Sequence, residues 1–172
     1  MKMTKAFTMI ELIYVIVIIA VLASVALPRF AGVRTQADIG SGKSQVATIR
    51  AAIVNERQSR LITGNPGFID KLSTGVALNG AGNNLFTGND DVPQREILQN
   101  AIISGNNAGQ WLRTGIVAGV TETYRYNTSD GNTVFTYYAV DNTVGGVVVN
   151  RAGEFSCVQA AGTGVNCNAM TR

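Results

Sequence analysis

From Phe7 to Leu27 the chain reads FTMIELIYVIVIIAVLASVAL, apolar on every side of a helix drawn through it, with one charged side chain, Glu11. A run of this length and composition suits a bilayer-spanning helix. A charge inside such a helix costs a few kcal/mol or more, depending on depth, so an acid there points to a function and to a partner. Further on, Val46, Ile49, Ile53 and Val54 recur at helical spacing, with Arg50, Asn55 and Arg57 between them. Together the two stretches predict one long helix from Phe7 to about Leu61, apolar all round in its first half and amphipathic in its second. Pro28 lacks an amide hydrogen and clashes with the preceding turn, so it is expected to kink or locally open the helix near Ser24 to Leu27. Gly32, Gly40 and Gly42 each weaken helix propensity further, by about 1 kcal/mol relative to Ala.

After the helix the pattern is punctuated by turn formers, among them Gly64-Asn65-Pro66-Gly67, Asn79-Gly80-Ala81-Gly82-Asn83-Asn84 and Gly105-Asn106-Asn107. A short helix is expected over Gly67 to Leu72. A second is expected over Val92 to Ile103, where Asp91 and Gln94 have capping-box spacing, Pro93 sits in the first turn, and Ile97, Leu98, Ala101 and Ile102 share a face. Downstream the period changes to two. Glu122 to Asn127 and Val134 to Val140 read as strands joined by the turn Thr128-Ser129-Asp130-Gly131-Asn132. Trp111 to Thr114 and Gly146 to Val149 are shorter strand candidates, and Glu154 to Val158 is a candidate edge strand. The expected fold is α+β, with the amphipathic half-helix laid on one face of a small antiparallel sheet of three to five strands.

Composition narrows the chemistry. The 172 residues include no His, so the commonest general base is missing and the usual Ser and Cys triads cannot form. The other acids look scattered over loops and surfaces, with no apolar-flanked carboxylate pair of the glycosidase kind. No enzyme and no cofactor are expected. Ala37 to Ser44, ADIGSGKS, ends like a phosphate-binding loop, but it interrupts a helix, follows no strand, and has Ala37 where a Gly is required. Asn84, Asn89, Asp90 and Asp91 offer oxygen ligands for calcium, yet the calcium-loop spacing is absent, so loop and cap chemistry is the better reading and no metal site is assigned. Trp111, Tyr124, Tyr126, Phe135, Tyr137 and Tyr138 fit sheet packing better than base stacking. No basic cluster accompanies them, so no nucleic-acid partner is expected.

Ahead of the apolar run, MKMTKA supplies Lys2 and Lys5 and no acid, which keeps that end cytoplasmic and sends the remainder outward. A secretory signal starts similarly, and Ala23-Ser24-Val25-Ala26 offers it a cleavage site. Nothing in signal-peptide physics calls for Glu11, however. The string KAFTMIEL, an unbroken apolar helix and Pro28 together resemble the N-terminus of type IV pilins and type II secretion pseudopilins. The motif covers about the first thirty residues, and the rest matches in general layout. The resemblance implies cleavage by a prepilin peptidase between Ala6 and Phe7, N-methylation of Phe7, an assembly role for Glu11 and a helix-kinking role for Pro28. Ala6 departs from the family pattern, which has Gly before the cut; Ala is the next smallest side chain, and cleavage is expected to survive.

The physical argument runs beside the resemblance. Cleavage before Phe7 creates an α-amine, and on a neighbouring subunit that amine is the natural partner of Glu11. Opposite charges about 4 Å apart attract by roughly 4 kcal/mol at an effective dielectric near 20, before desolvation. A misregistered subunit leaves the acid unpaired, and breaking a buried pair costs about 3–5 kcal/mol, so the charge specifies register more than it adds stability. The plainer alternative is that Glu11, about one turn inside the membrane edge, snorkels to water.

Cys157 and Cys167 complete the picture. In a domain outside the cytoplasm they are expected to form a disulfide, contributing roughly 2–3 kcal/mol by closing a short loop and pinning a Gly-rich tail. The pair resembles the C-terminal disulfide loop of many type IV pilins. The organisation expected is a leader over residues 1–6, an apolar assembly helix over 7–28, its amphipathic continuation over 29–62, and an α+β head over 63–172. The function implied is a filament subunit, inserted in the inner membrane with its head periplasmic and then moved into an extracellular pilus. Its partners would be copies of itself, minor subunits, the peptidase and an inner-membrane platform with a cytoplasmic ATPase. The alternatives are a pseudopilin of a periplasmic secretion or DNA-uptake fibre and a membrane-anchored binding module that never polymerises.

Overall fold

The computed structural model describes residues 7–88, 96–157 and 166–171. The chain divides into two compact units, Met1–Gln36 and Ala37–Arg172. Helix α1 (Met9–Ile62) contributes to both. Its backbone stays helical through Pro28, Gly32, Gly40 and Gly42, so Pro28 does not end the helix. Proline removes one backbone hydrogen bond. Once a helix is nucleated, good helix formers on both sides carry it across a single missing bond.

In the second unit the main sheet is four-stranded and antiparallel, in the order β3 (Trp111–Val117), β4 (Thr121–Thr128), β5 (Gly131–Tyr138), β8 (Phe155–Cys157). Two small ribbons accompany it: β1 (Asn84–Leu85) with β2 (Ile102–Ile103), and β6 (Asn142–Val144) with β7 (Val147–Asn150). A last short helix, α2, covers Cys167–Thr171. The β4–β5 hairpin is in register from Thr121↔Tyr138 to Thr128↔Gly131, so Ser129 and Asp130 form its turn. The strand expected over Gly146 to Val149 exists but pairs in the separate ribbon. The edge strand expected from Glu154 is β8, and Val158 lies outside the described residues.

Alternation decides which side chains enter the core. Glu122, Tyr124 and Tyr126 on β4, and Thr133, Phe135 and Tyr137 on β5, all point to the buried face. Trp111, Phe86 and Phe155 join them, with Phe135 and Phe155 stacked at 5.3 Å and Phe86 and Tyr124 stacked at 4.7 Å. The aromatic residues singled out above are thus core, apart from Tyr138, which is half-buried. From α1 the face that joins this core is Gly42, Val46, Ile49 and Ile53, with Ala52 beside it. Val54, expected on that face, is exposed because it lies about 100° round the helix from Ile53. Each large apolar side chain sealed in this way contributes roughly 1.5–3 kcal/mol.

Two expected helices are corrected. Gly67 to Leu72 is irregular, because tertiary partners take its backbone groups: the Leu72 amide donates to Glu122 Oε2 (2.6 Å), and the Ile69 carbonyl accepts from the Tyr137 hydroxyl (2.8 Å). Of the helix expected over Val92 to Ile103, residues 92–95 lie outside the described residues. The remainder is non-helical and ends in β2, where Ile102 pairs with Leu85. The expected cap residues Asp91, Pro93 and Gln94 lie outside the described residues; over 96–103, strand pairing at Ile102 and burial of Leu98 take the place of a helix.

Candidate functional site

The first unit has simple chemistry. Its helix is long and apolar enough to cross a membrane, and none of the apolar window is buried within the chain. Phe7 is exposed, as are Met9, Ile10, Leu12 and Ile13 around Glu11. Thr8 stands immediately before the helix, and its Oγ1 accepts a hydrogen bond from the Glu11 amide (3.3 Å). Thr8 is therefore the N-cap with Glu11 at N3, the spacing of a capping box of which the Thr8 half is formed. That pattern is legible in the sequence. Glu11 is exposed, and its carboxylate makes no hydrogen bond or ion pair among the described residues. Ala6, the other half of the expected cleavage site, lies outside the described residues. At Pro28 the nearby Ser24 hydroxyl donates to the Val21 carbonyl (2.7 Å), one turn before the missing proline amide.

The second unit holds a buried polar cluster. Glu122 is sealed in the core, where its carboxylate accepts from the Leu72 amide (2.6 Å), the Ser73 amide (3.3 Å) and the Tyr124 hydroxyl (2.8 Å), and pairs with Arg113. Arg113 also donates from Nη1 to the Val76 carbonyl (2.9 Å). The expectation that every acid apart from Glu11 lies on loops and surfaces is thus corrected. Glu122 shares the parity of Tyr124 and Tyr126, and that parity forces it inward. Burial, and next the charge of Glu122, push the Tyr124 phenol well above its usual range; the same two causes raise Tyr137. This cluster ties the loop after α1 to the sheet.

Cys157 and Cys167 are joined in a disulfide with their Cα atoms 5.9 Å apart, linking β8 to α2. Of the candidate calcium ligands, Asn84 lies in β1, while Asn89, Asp90 and Asp91 lie outside the described residues. Among the described residues no group of three or more His, Cys, Asp or Glu side chains could hold a metal ion. Ala37 to Ser44 is helical throughout, with Lys43 and Ser44 exposed, so its amides do not converge on a phosphate.

A cluster missed by sequence reasoning sits at the tip of the β4–β5 hairpin. Asp38 of α1 accepts on Oδ2 from the Ser129 amide (3.2 Å) and the Ser129 hydroxyl (2.5 Å), and its carbonyl accepts from the Tyr126 hydroxyl (2.7 Å). From the other side Asn166 donates to Thr128 Oγ1 (3.0 Å) and to Asp130 Oδ1 (3.0 Å). The bonds from Thr128 and then Asn166 hold the Asp130 carboxyl below its usual range. These pairs join residues 36 to 91 positions apart, and no local pattern announces them.

No protein-family model, no curated protein and no solved structure matches this chain.

Proposed function

We propose that this chain is the structural subunit of a type IV pilus-like filament, assembled through its N-terminal apolar helix after cleavage between Ala6 and Phe7. The observation that carries the reading is Glu11: a carboxylate with no partner among the described residues, in an apolar helical run of which nothing is buried within the chain. A single exposed apolar helix calls for a bilayer or for other helices, and a charge within it calls for a counter-charge at the same depth. One structure meets both needs, a bundle of parallel copies in which the new Phe7 amine of one subunit meets Glu11 of the next. Thr8 supports the arrangement by capping the first turn of the helix that carries Glu11. Before assembly the same helix holds the protein in the inner membrane, with Lys2 and Lys5 cytoplasmic and the head outside, where the Cys157–Cys167 bond is stable.

The test is Glu11→Ala beside Glu11→Asp in cells, with filaments imaged by electron microscopy and the intact mass of the mature protein measured. Loss of fibres with normal monomer levels in the Ala variant, partial retention in the Asp variant, and a methylated Phe7 start support the reading. A protein that begins at Met1 and forms no fibres is instead a membrane-anchored module, and fibres that persist unchanged without Glu11 overturn the assembly role of that carboxylate.

A further inference from the structure

Two elements distant in sequence meet at the β4–β5 turn. On one side is the beginning of the head-bound part of α1: Asp38 receives both Ser129 donors, and the Tyr126 hydroxyl donates to the Asp38 carbonyl. On the other is the turn that precedes α2: Asn166 bridges Thr128 and Asp130. Ser129 lies between Thr128 and Asp130, so both sets of bonds act on the same three consecutive residues.

A second path runs parallel to the first. Met170 of α2 is buried and packs beside Gly42 of α1, where an added Cβ would collide with the Met170 methyl and stand 2.6 Å from Tyr126 Cε1. Tyr126 in turn holds Asp38. The C-terminal turn therefore reaches α1 both through polar bonds at the hairpin tip and through packing on the Tyr126 ring. Packed side chains and hydrogen-bond networks of this kind can carry coupling, and here two such paths share both ends.

We infer that the β4–β5 hairpin is a two-sided clasp that couples the disulfide-held C-terminal turn to the fastening of α1 at Asp38 to Gly42. The inference does not depend on the filament reading. Its consequence is conformational. The first head-bound turns of α1 are held only while the C-terminal turn is seated, and release at Asn166 or Met170 frees the helix there without unfolding the sheet. Thermodynamic linkage makes the coupling reciprocal, so releasing Asp38 must also loosen α2.

The experiment is hydrogen exchange followed by mass spectrometry on the full-length chain in detergent, comparing Asn166→Ala, Met170→Ala and Asp38→Ala with the parent. Expected are acceleration of about tenfold in amides of residues 38–45 in the first two variants and a similar acceleration at the Met170 amide in Asp38→Ala, with β5 amides unchanged. The Met170 amide is a suitable reporter because it donates to the Asn166 carbonyl (3.0 Å). Using variants at both ends guards against one of them failing to fold. Unchanged exchange across the turn in either direction overturns the clasp. So does equal acceleration throughout the sheet, which would mean simple loss of stability.

Discussion

Arg113 and Glu122 form an ion pair with both side chains removed from water, and Glu122 at the same time accepts two backbone amides from a loop fifty residues earlier in the chain. A buried pair contributes little net stability against a well-packed apolar substitute, but losing one partner strands the other. Glu122→Gln is therefore expected to destabilise the head by about 3–5 kcal/mol, because Arg113 keeps its charge in the core. Urea unfolding followed by Trp111 fluorescence measures it. A loss below about 1 kcal/mol would mean that water reaches the pair.

Gly40 and Gly42 are separated by one residue and should respond oppositely to the same change. Nothing lies within 4 Å of a Cβ built at Gly40, so Gly40→Ala gains helix propensity, up to about 1 kcal/mol. At Gly42 the added methyl meets Tyr126 and Met170, and overpacking of this kind costs about 1–3 kcal/mol, more than the propensity gain. Thermal melts of the two variants should move in opposite directions.

Removing the disulfide with Cys157→Ser and Cys167→Ser together should cost roughly 2–3 kcal/mol, as expected for a loop closed over a separation of ten residues. The loss should equal that of the parent protein under reducing conditions, measured by the same unfolding curve.

The tyrosines set an alkaline limit. Tyr124 and Tyr137 are raised, first by burial and then by the charge of Glu122. Above the unfolded value near 10 the unfolded chain therefore loses protons that the folded chain retains. Stability is complete below that pH and falls as pH rises beyond it. Tyrosinate absorbance should show these phenols ionising together with loss of the near-ultraviolet circular dichroism signal, not before it. Asp130 has the opposite sign. Its carboxyl is lowered by Thr128 and Asn166, so its contribution is present above the unfolded carboxylate value and is lost as pH falls through the folded one. Asp130→Asn should flatten that part of the acid limb.

Local pattern carried a good deal of this molecule. Twenty-one residues, apolar but for Thr8, Glu11 and Ser24, followed by Val46, Ile49 and Ile53 at helical spacing, were sufficient for α1. Strict alternation around Ser129-Asp130 was sufficient for the β4–β5 hairpin, because period and turn chemistry are properties of neighbours in the chain. Within the apolar run the lone charge of Glu11, the position of Pro28 and the T-x-x-E pattern at Thr8 were all legible. What escaped was set by partners far along the chain. Gly67 to Leu72 and residues 96–103 carry helical signals, yet their backbone groups are claimed by Glu122, Tyr137 and β1. Gly42 reads as a weak helix position until Tyr126 and Met170 arrive against it, and Asp38 reads as a surface acid until Ser129 does. The sequence by itself determined which segments are helical or extended and which face is apolar, because short-range sterics and hydrophobic period decide those. Only the tertiary structure decided where buried polar groups find partners and where a missing side chain makes room, because both depend on which distant surfaces meet.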